Sequence, residues 1–362
     1  MSSALRLFVD VGDSSTKFAL QKEGNVLALG AKKVKEGLEW DTGLQEILKE
    51  VKESHGVPSF VIVSFLSSMF RAELLSYTFA RSKPELQITQ KEVSTKERTV
   101  RGKATEEIME RSSSALGIVP EEFMGGALSV LKRSLDGYPV RQFQGLKGRE
   151  MEFKVLATVL PKAMLNRLSR ILGEGGVKRF HLVHSAEGSN GFFQKRKESA
   201  ISVEVGNHMS RIGVWKEGEF LLFEQIEWGG DILTHLLAES LGMHENSAEE
   251  LKARYTAGDF TPGMREKVRG LVLPEILQWS TLVRERLQAK SLVLPPRVLL
   301  MGGASVLPEI GEALVADFEE LPFPGDPEIS FLTPKDLGKT GFPQEKDPAY
   351  TSLFLLAHGT EQ

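Results

Sequence analysis

The first segments of the chain alternate. Leu7, Val9 and Val11 are apolar at every second position, and the pattern resumes at Phe18 and Leu20 after Gly12-Asp13-Ser14-Ser15-Thr16. A period of two on either side of a Gly/Ser turn predicts a β-hairpin. Val26–Ala31 predicts a third strand. Apolar Leu38, Leu44, Ile47, Leu48 and Val51, with charges between them, predict an amphipathic helix over 38–54. Phe60–Phe65 is apolar almost throughout, as in a strand buried on both faces of a parallel sheet.

Residues 66 to about 153 are more charged and less regular. They predict a small α+β block: a helix over 103–113, a strand at Leu128–Leu131, a turn at Asp136-Gly137, a loop marked by Gly145 and Gly148, and a strand at Met151–Leu160. Pro161 starts a helix to Leu172, apolar at Met164, Leu165, Leu168 and Ile171. Lys178–Val183 predicts a short strand, and the polar Gly188–Glu198 a surface loop. Ala200–Phe223 then repeats the opening: strand, Gly turn, strand, the turn Lys216-Glu217-Gly218, strand.

Beyond this repeat, Trp228-Gly229-Gly230-Asp231 leads into a helix over Ile232–Leu241. Ser247 caps another over Ala248–Tyr255, with Glu249 and Glu250 in its first turn. Met264–Ser291 is a long helical pattern weakened at Pro274, and Arg297–Met301 a buried strand. Gly302-Gly303-Ala304-Ser305 precedes a helix from Leu307 to Glu319, and Tyr350–His358 is a closing apolar helix.

Composition narrows the classes. A chain of 362 residues suits two or more domains. A formal charge of −4 argues against a strongly basic nucleic-acid binder. With no cysteine there are neither disulfides nor thiolate metal sites, as fits a reducing cytoplasm. The N-terminus lacks the pattern of a signal peptide, and no apolar run approaches the roughly 20 residues of a membrane span. His55, His181, His184, His235, His244 and His358 are scattered without metal-ligand spacing.

Candidate chemistry sits in the turns. Consecutive amides after Gly12 form an anion nest, and Gly12 lets the backbone come close. Asp10 stands at the same end, placed to hold Mg²⁺ through water, and Lys17 to neutralise phosphate. Gly12, Gly206 and Gly302-Gly303 each follow a buried strand. Two alike halves, each with such a turn facing a shared cleft, suit a nucleotide held between lobes.

On these residues, over almost its whole length, the chain resembles the actin-like ATPase superfamily, and within it FtsA and PilM. Asp10–Lys17 resembles the first phosphate loop, most closely in its PilM form, and Val203–Gly213 stands in place of the second. Gln225–Asp231 resembles the connecting segment. Ser247–Tyr255 resembles the helix whose Glu and Lys face the nucleotide, which points to Glu249 and Lys252; the same spacing also suits a salt pair within the helix. Leu300–Ser305 resembles the adenosine loop. Tyr138-Pro139-Val140, Gly145-Leu146, Gly148-Arg149-Glu150 and Ile88–Val93 resemble the FtsA form of the insert better than the PilM form.

The resemblance implies an α/β, actin-like (ribonuclease H-like) two-lobed fold with a small strand–helix–strand–strand insert in the first lobe. Its divisions are 1–65 for the first lobe, 66–177 for the insert, 178–198 for a return to the first lobe and 199–362 for the second, with the helix 350–359 packing back on the first. It implies ATP and Mg²⁺ as cofactors, held by Asp10, Gly12, Asp13, Ser14, Ser15, Lys17, Glu204, Gly206, Asn207, Gly229, Gly230, Glu249, Lys252, Gly302, Gly303, Ala304 and Ser305, with Asp10 toward the metal. No catalytic residue is assigned.

The implied role is a cytoplasmic scaffold in cell division. It would recruit FtsZ-like or other division proteins, self-associate through the insert and reach the inner face of the membrane only through a partner. FtsA-like chains continue into an amphipathic membrane helix, whereas this sequence ends at Gln362. The alternative is a PilM-like pilus assembly protein bound by the tail of an inner-membrane partner; a small-molecule kinase is a third reading. Where the superfamily has Asp, Gly, two small residues and Thr in the second loop, this chain has Glu204-Val205-Gly206-Asn207-His208-Met209-Ser210. Misplacing the attacking water by about 1 Å costs roughly 100-fold in rate, so ATPase activity is expected to be weak or absent. Asn207 and His208 argue against a working kinase for the same reason.

Overall fold

The opening alternation forms β1 (Leu5–Val11), β2 (Ser15–Lys22) and β3 (Asn25–Lys33), followed by helix α1 (Trp40–His55) and strand β4 (Phe60–Phe65). The structure is a computed structural model that describes residues 4–12, 14–33, 40–65, 68–289, 292–338 and 341–359. Leu44, Ile47, Leu48 and Val51 form the buried stripe of α1 against Leu7, Val9 and Val11.

The insert follows as β5 (Arg71–Ala80), α2 (Gln90–Leu116), β6 (Phe123–Leu135), β7 (Tyr138–Pro139) and β8 (Glu150–Pro161). Its antiparallel sheet has the order β5-β8-β6-β7. The chain returns through α3 (Lys162–Glu174), β9 (Phe180–Leu182) and α4 (Ser185–Arg196). The second half contains β10 (Ala200–Val205), β11 (Ser210–Lys216), β12 (Glu219–Ile226), α5 (Gly230–Leu241), α6 (Glu245–Thr256), α7 (Pro262–Gln288), β13 (Arg297–Met301), α8 (Pro308–Phe318), β14 (Glu328–Phe331), α9 (Pro334–Leu337) and α10 (Thr351–Gly359).

The repeat seen in the sequence is a repeat of topology. One five-stranded sheet has the order β3-β2-β1-β4-β9 and the other β12-β11-β10-β13-β14. In each, an antiparallel meander is extended by two parallel strands. The odd residues Leu7, Val9 and Val11 face one core, and Ile201, Val203 and Val205 face its counterpart. The alternate residues, Phe8 and Asp10 in β1 and Ser202 and Glu204 in β10, face the junction between the lobes, as period two requires.

Several expectations change. The polar segment 188–198 is largely helical: α4 runs to Arg196 and buries Ser189, Asn190, Phe192 and Phe193. His184 caps it, its Nδ1 accepting from the Ala186 N–H at 3.1 Å while Glu187 accepts from the His184 N–H at 2.9 Å. Helix α2 is longer than predicted because Thr89 caps it and Gly117 ends it in the left-handed region at φ +66°. Its buried stripe is sparse, Val93, Val100, Ala104 and Ile108, so the periodicity is faint in the sequence. β6 extends beyond the predicted strand and carries register shifts between Gly125 and Leu128 and between Val130 and Lys132, which interrupt the alternation. β5 has no counterpart among the predicted elements. Helix α3, assigned to the insert by the 66–177 boundary, buries Leu168, Ile171 and Leu172 in the core of β1, β4 and α1.

The two closing helices cross the junction. α4 places Phe192 and Phe193 with Trp215 and Phe220 of the second lobe. α10 places Leu353, Phe354 and Leu356 with Phe8, Ala19 and Ile62 of the first. The insert also touches the second lobe: Lys132 Nζ donates to both Glu219 carboxylate oxygens, at 2.9 and 2.8 Å.

Candidate functional site

The two hairpin turns are built alike. The Gly12 N–H donates to the Ser15 carbonyl at 3.0 Å, and the Gly206 N–H to the Met209 carbonyl at 2.9 Å. A Cβ on either glycine would stand 2.9 Å from that carbonyl oxygen, closer than a side chain tolerates. Cross-strand register sets Asp10 opposite Lys17 and Glu204 opposite Arg211. Each lobe therefore offers one carboxylate and one cation on the face turned to the junction.

These charges are deeply buried. Asp10, Glu204 and Arg211 are 1%, 2% and 2% exposed. Both Asp10 carboxylate oxygens lack a hydrogen-bond partner among the described residues. Burial pushes the Asp10 carboxyl up to about 7, against the pull of Lys17 and, more weakly, of Arg211, while Glu204 adds to the rise. Glu204 accepts from the Ser352 hydroxyl of α10 and lies 3.6 Å from Arg211 Nη1. His184, buried beneath, is held well below the usual histidine range by desolvation and then by the Arg211 charge.

The connecting segment clamps the second turn. The Gly230 N–H donates to the Gly206 carbonyl and the Asp231 N–H to the Asn207 carbonyl, both at 3.0 Å. A Cβ on Gly229 would fall 2.0 Å from the Asn207 oxygen, so only glycine permits this approach. Lys252 Nζ donates to the Gly230 carbonyl at 2.7 Å and the Thr234 hydroxyl at 2.6 Å, and pairs with Glu249 at 2.6 Å. The salt pair within the helix thus forms, and Lys252 also fixes the start of α5. His208 pairs with Asp231 at the rim.

The third turn leaves β13 at Gly302, which is left-handed at φ +94°. Its N–H donates to the Pro348 carbonyl at 3.0 Å, and Ser305 Oγ donates to its carbonyl at 2.7 Å.

These turns enclose an inner cavity of about 150 Å³ lined by Gly12, Ser14, Ser15, Lys17, Glu204, Gly206, Asn207, Gly230, Glu249, Lys252, Gly302, Gly303 and Ala304, together with Ala349 and Ser352. Ser14, Ser15, Asn207 and Glu249 are shared with an outer cavity of about 990 Å³ that also takes in Lys33, His208, Asp231, Thr234 and His235. The inner space alone is smaller than the roughly 300–1,000 Å³ of an ordinary ligand pocket; the outer one beside it is not. Asp10, Gly229 and Ser305 lie behind the wall as supports, and Asp13 falls outside the described residues. Sequence reasoning missed Ser352, Ala349 and Arg211. The first two come from a distant part of the chain, and Arg211 shows its place only through the cross-strand register that sets it opposite Glu204 as Lys17 is set opposite Asp10.

Magnesium can be weighed on these residues. Mg²⁺ keeps most of its waters and takes one or two carboxylates with substrate phosphates. Asp10 has free oxygens, but one Glu204 oxygen accepts from Ser352 and the Arg211 cation stands 3.6 Å from the other. Among the described residues no group of three or more His, Asp or Glu could hold a metal. The residues do not fit an ion bound from both lobes.

Two mirrored sheets, a cleft floored by paired turns and helices crossing the junction define a protein of the actin-like ATPase fold. In particular, the chain is similar to one in the PilM–PilN type IV pilus biogenesis complex, with a TM-score of 0.71 and 15% identity, covering 99% of both chains. It is also similar to the ethanolamine utilization protein EutJ from Carboxydothermus hydrogenoformans, with a TM-score of 0.50, 14% identity, and 98% and 88% of the two chains covered. At these identities the likeness is one of fold. No family model matches the sequence, and no curated protein matches it.

Proposed function

We propose that this protein is a nucleotide-binding scaffold of the PilM kind, which holds an adenine nucleotide between its lobes and works by engaging a pilus-assembly partner. The observation that carries the nucleotide reading is the convergence of the Gly12, Gly206 and Gly302 turns on one cavity. The partner reading is supported by a likeness that runs through the insert and covers whole chains on both sides. It takes precedence over the cell-division role, for which the insert motifs Tyr138-Pro139-Val140 and Gly148-Arg149-Glu150 are the support.

The second turn favours binding over turnover. Asn207 and His208 bring side chains where close approach to phosphate calls for small residues, and Asn207 is fixed by the Asp231 N–H. Among the described residues no helix is long and apolar enough to cross a membrane; in this reading the partner supplies the anchor.

Calorimetry with ATP, ADP and GTP tests the first half. Adenine nucleotides are expected to bind with a Kd on the order of micromolar, about −8 kcal/mol, and turnover to stay well below about 1 s⁻¹. Rapid hydrolysis or sugar phosphorylation overturns the scaffold reading. The neighbouring genes test the second half: pilus-assembly genes support it, and division genes return the chain to the FtsA role.

A further inference from the structure

Arg211 is a buried cation that has an ion-pair neighbour but no hydrogen bond among the described residues. Its side chain is 3% exposed, and Nε, Nη1 and Nη2 all lack a hydrogen-bond partner among the described residues. Its nearest carboxylate, Glu204, lies 3.6 Å away, beyond hydrogen-bond distance, and already accepts from Ser352. A buried guanidinium without hydrogen bonds is costly, so the charge calls for a reason.

Its position supplies one. Glu204 lines the inner cavity and Arg211 stands opposite it across the β10–β11 pair, while its charge also reaches Asp10 across the junction. Two carboxylates beneath a polyphosphate site would repel the ligand unless positive charge stood with them. Lys17 supplies one such charge from the first lobe, and Arg211 is its register counterpart in the second. The carboxylate that would have answered a divalent ion from this side has one oxygen held by Ser352 and a fixed cation 3.6 Å from the other.

Resting on the nucleotide-binding reading, we propose that Arg211 is a built-in counter-charge that replaces a divalent cation, so that this protein binds its nucleoside polyphosphate without requiring Mg²⁺. Arg211 is a positioning residue here: it acts through Glu204 and the field at the cavity floor and does not touch the ligand.

The test compares ATP binding by calorimetry in magnesium and in EDTA, first on the unaltered protein. The two affinities are expected to agree within about threefold. Arg211→Met is expected to bind at least about tenfold more weakly in EDTA and to regain most of that loss on adding magnesium, about 1.4 kcal/mol per tenfold step. Arg211→Lys, which keeps the charge, is expected to remain indifferent to chelation, which a merely structural role would not produce. Binding by the unaltered protein that falls tenfold or more in EDTA overturns the inference and leaves the nucleotide reading intact. Binding in neither condition overturns both. Because the first comparison needs no variant, it can overturn the inference even where Arg211→Met does not fold.

Discussion

Gly188 of α4 packs against the main chain of Leu355 in α10: a Cβ on Gly188 would lie 2.7 Å from the Leu355 carbonyl oxygen and 2.9 Å from its carbonyl carbon. The contact joins the helix that closes the first half of the chain to the one that closes the second. α4 is packed onto the second sheet and α10 onto the first, so it sits where the lobes are cross-braced. The glycines and small polar residues of α4, which have the composition of a loop, are the condition for this approach.

The sign of a Gly→Ala change should therefore invert. In an ordinary helix interior the substitution stabilises by about 0.5–1 kcal/mol. Gly188→Ala is expected to destabilise by about 1–3 kcal/mol, because both obstructing atoms are backbone and α10 must shift. Gly102→Ala in α2, where nothing lies within 4 Å of the new methyl, is the control and should stabilise. Urea unfolding of the two variants measures the difference.

His184 should make the protein acid-sensitive. Its Nδ1 accepts from the Ala186 N–H, so its Nε2 carries the proton and donates to the Phe70 carbonyl at 3.2 Å. Protonating Nδ1 removes the cap and places a charge beside Arg211 and Arg71, against the Glu187 carboxylate that accepts from the His184 N–H. The folded-state pKa is depressed below 6.5, so the unfolded chain binds the extra proton first. The resulting stability is present above pH 6.5 and is lost as pH falls toward the folded-state pKa, at up to about 1.4 kcal/mol per pH unit. His184→Asn, which keeps a capping acceptor without the titration, should lose less stability than the unaltered protein between pH 7 and pH 5 in thermal unfolding, the opposite contribution of the raised Asp10 carboxyl being common to both.

How much of this was legible in the sequence depends on where the signal lay. Leu7, Val9 and Val11 and their counterparts Ile201, Val203 and Val205 alternate because one sheet face is wholly apolar, and both meanders could be read from that. The Gly12, Gly206, Gly229 and Gly302 turns stood out because close backbone approaches leave no room for a side chain. In the insert the signal failed: β6 is bulged, and α2 packs by a narrow stripe on a charged helix. Ser352 could not be linked to Glu204 from sequence, since contacts between distant segments leave no local pattern. Arg211 carries no local sign of its place: Asn207 and His208 mark the second turn, whereas the partner of Glu204 emerges only from the cross-strand register.

Glu204→Gln should be costly out of proportion to its size. It leaves the Arg211 charge buried with its nearest partner neutralised, and breaking a buried pair from one side costs about 3–5 kcal/mol. Glu204→Gln with Arg211→Met removes both charges and is expected to recover more than half of that loss. A denaturation double-mutant cycle reads the coupling; additive losses would show that Glu204 and Arg211 do not act as a pair.

Gly302 and Gly303 are adjacent, yet substitutions there should separate folding from binding. A methyl on Gly302 would meet the Val205 carbonyl oxygen at 2.4 Å on a backbone already at φ +94°. Gly302→Ala must push β10 and the turn apart and strain the hydrogen bond to Pro348, so it is expected to lower stability by about 2–4 kcal/mol. A methyl on Gly303 would meet only the Ala349 Cβ, at 3.9 Å, an ordinary contact. Gly303 lines the inner cavity, however, and the added methyl takes up space from about 150 Å³. Gly303→Ala should therefore unfold within about 0.5 kcal/mol of the unaltered protein while weakening ATP binding by about tenfold. If Gly303→Ala bound ATP unchanged, the inner cavity would not be where the nucleotide sits, and the outer cavity beside His208 and Asp231 would be the place to look.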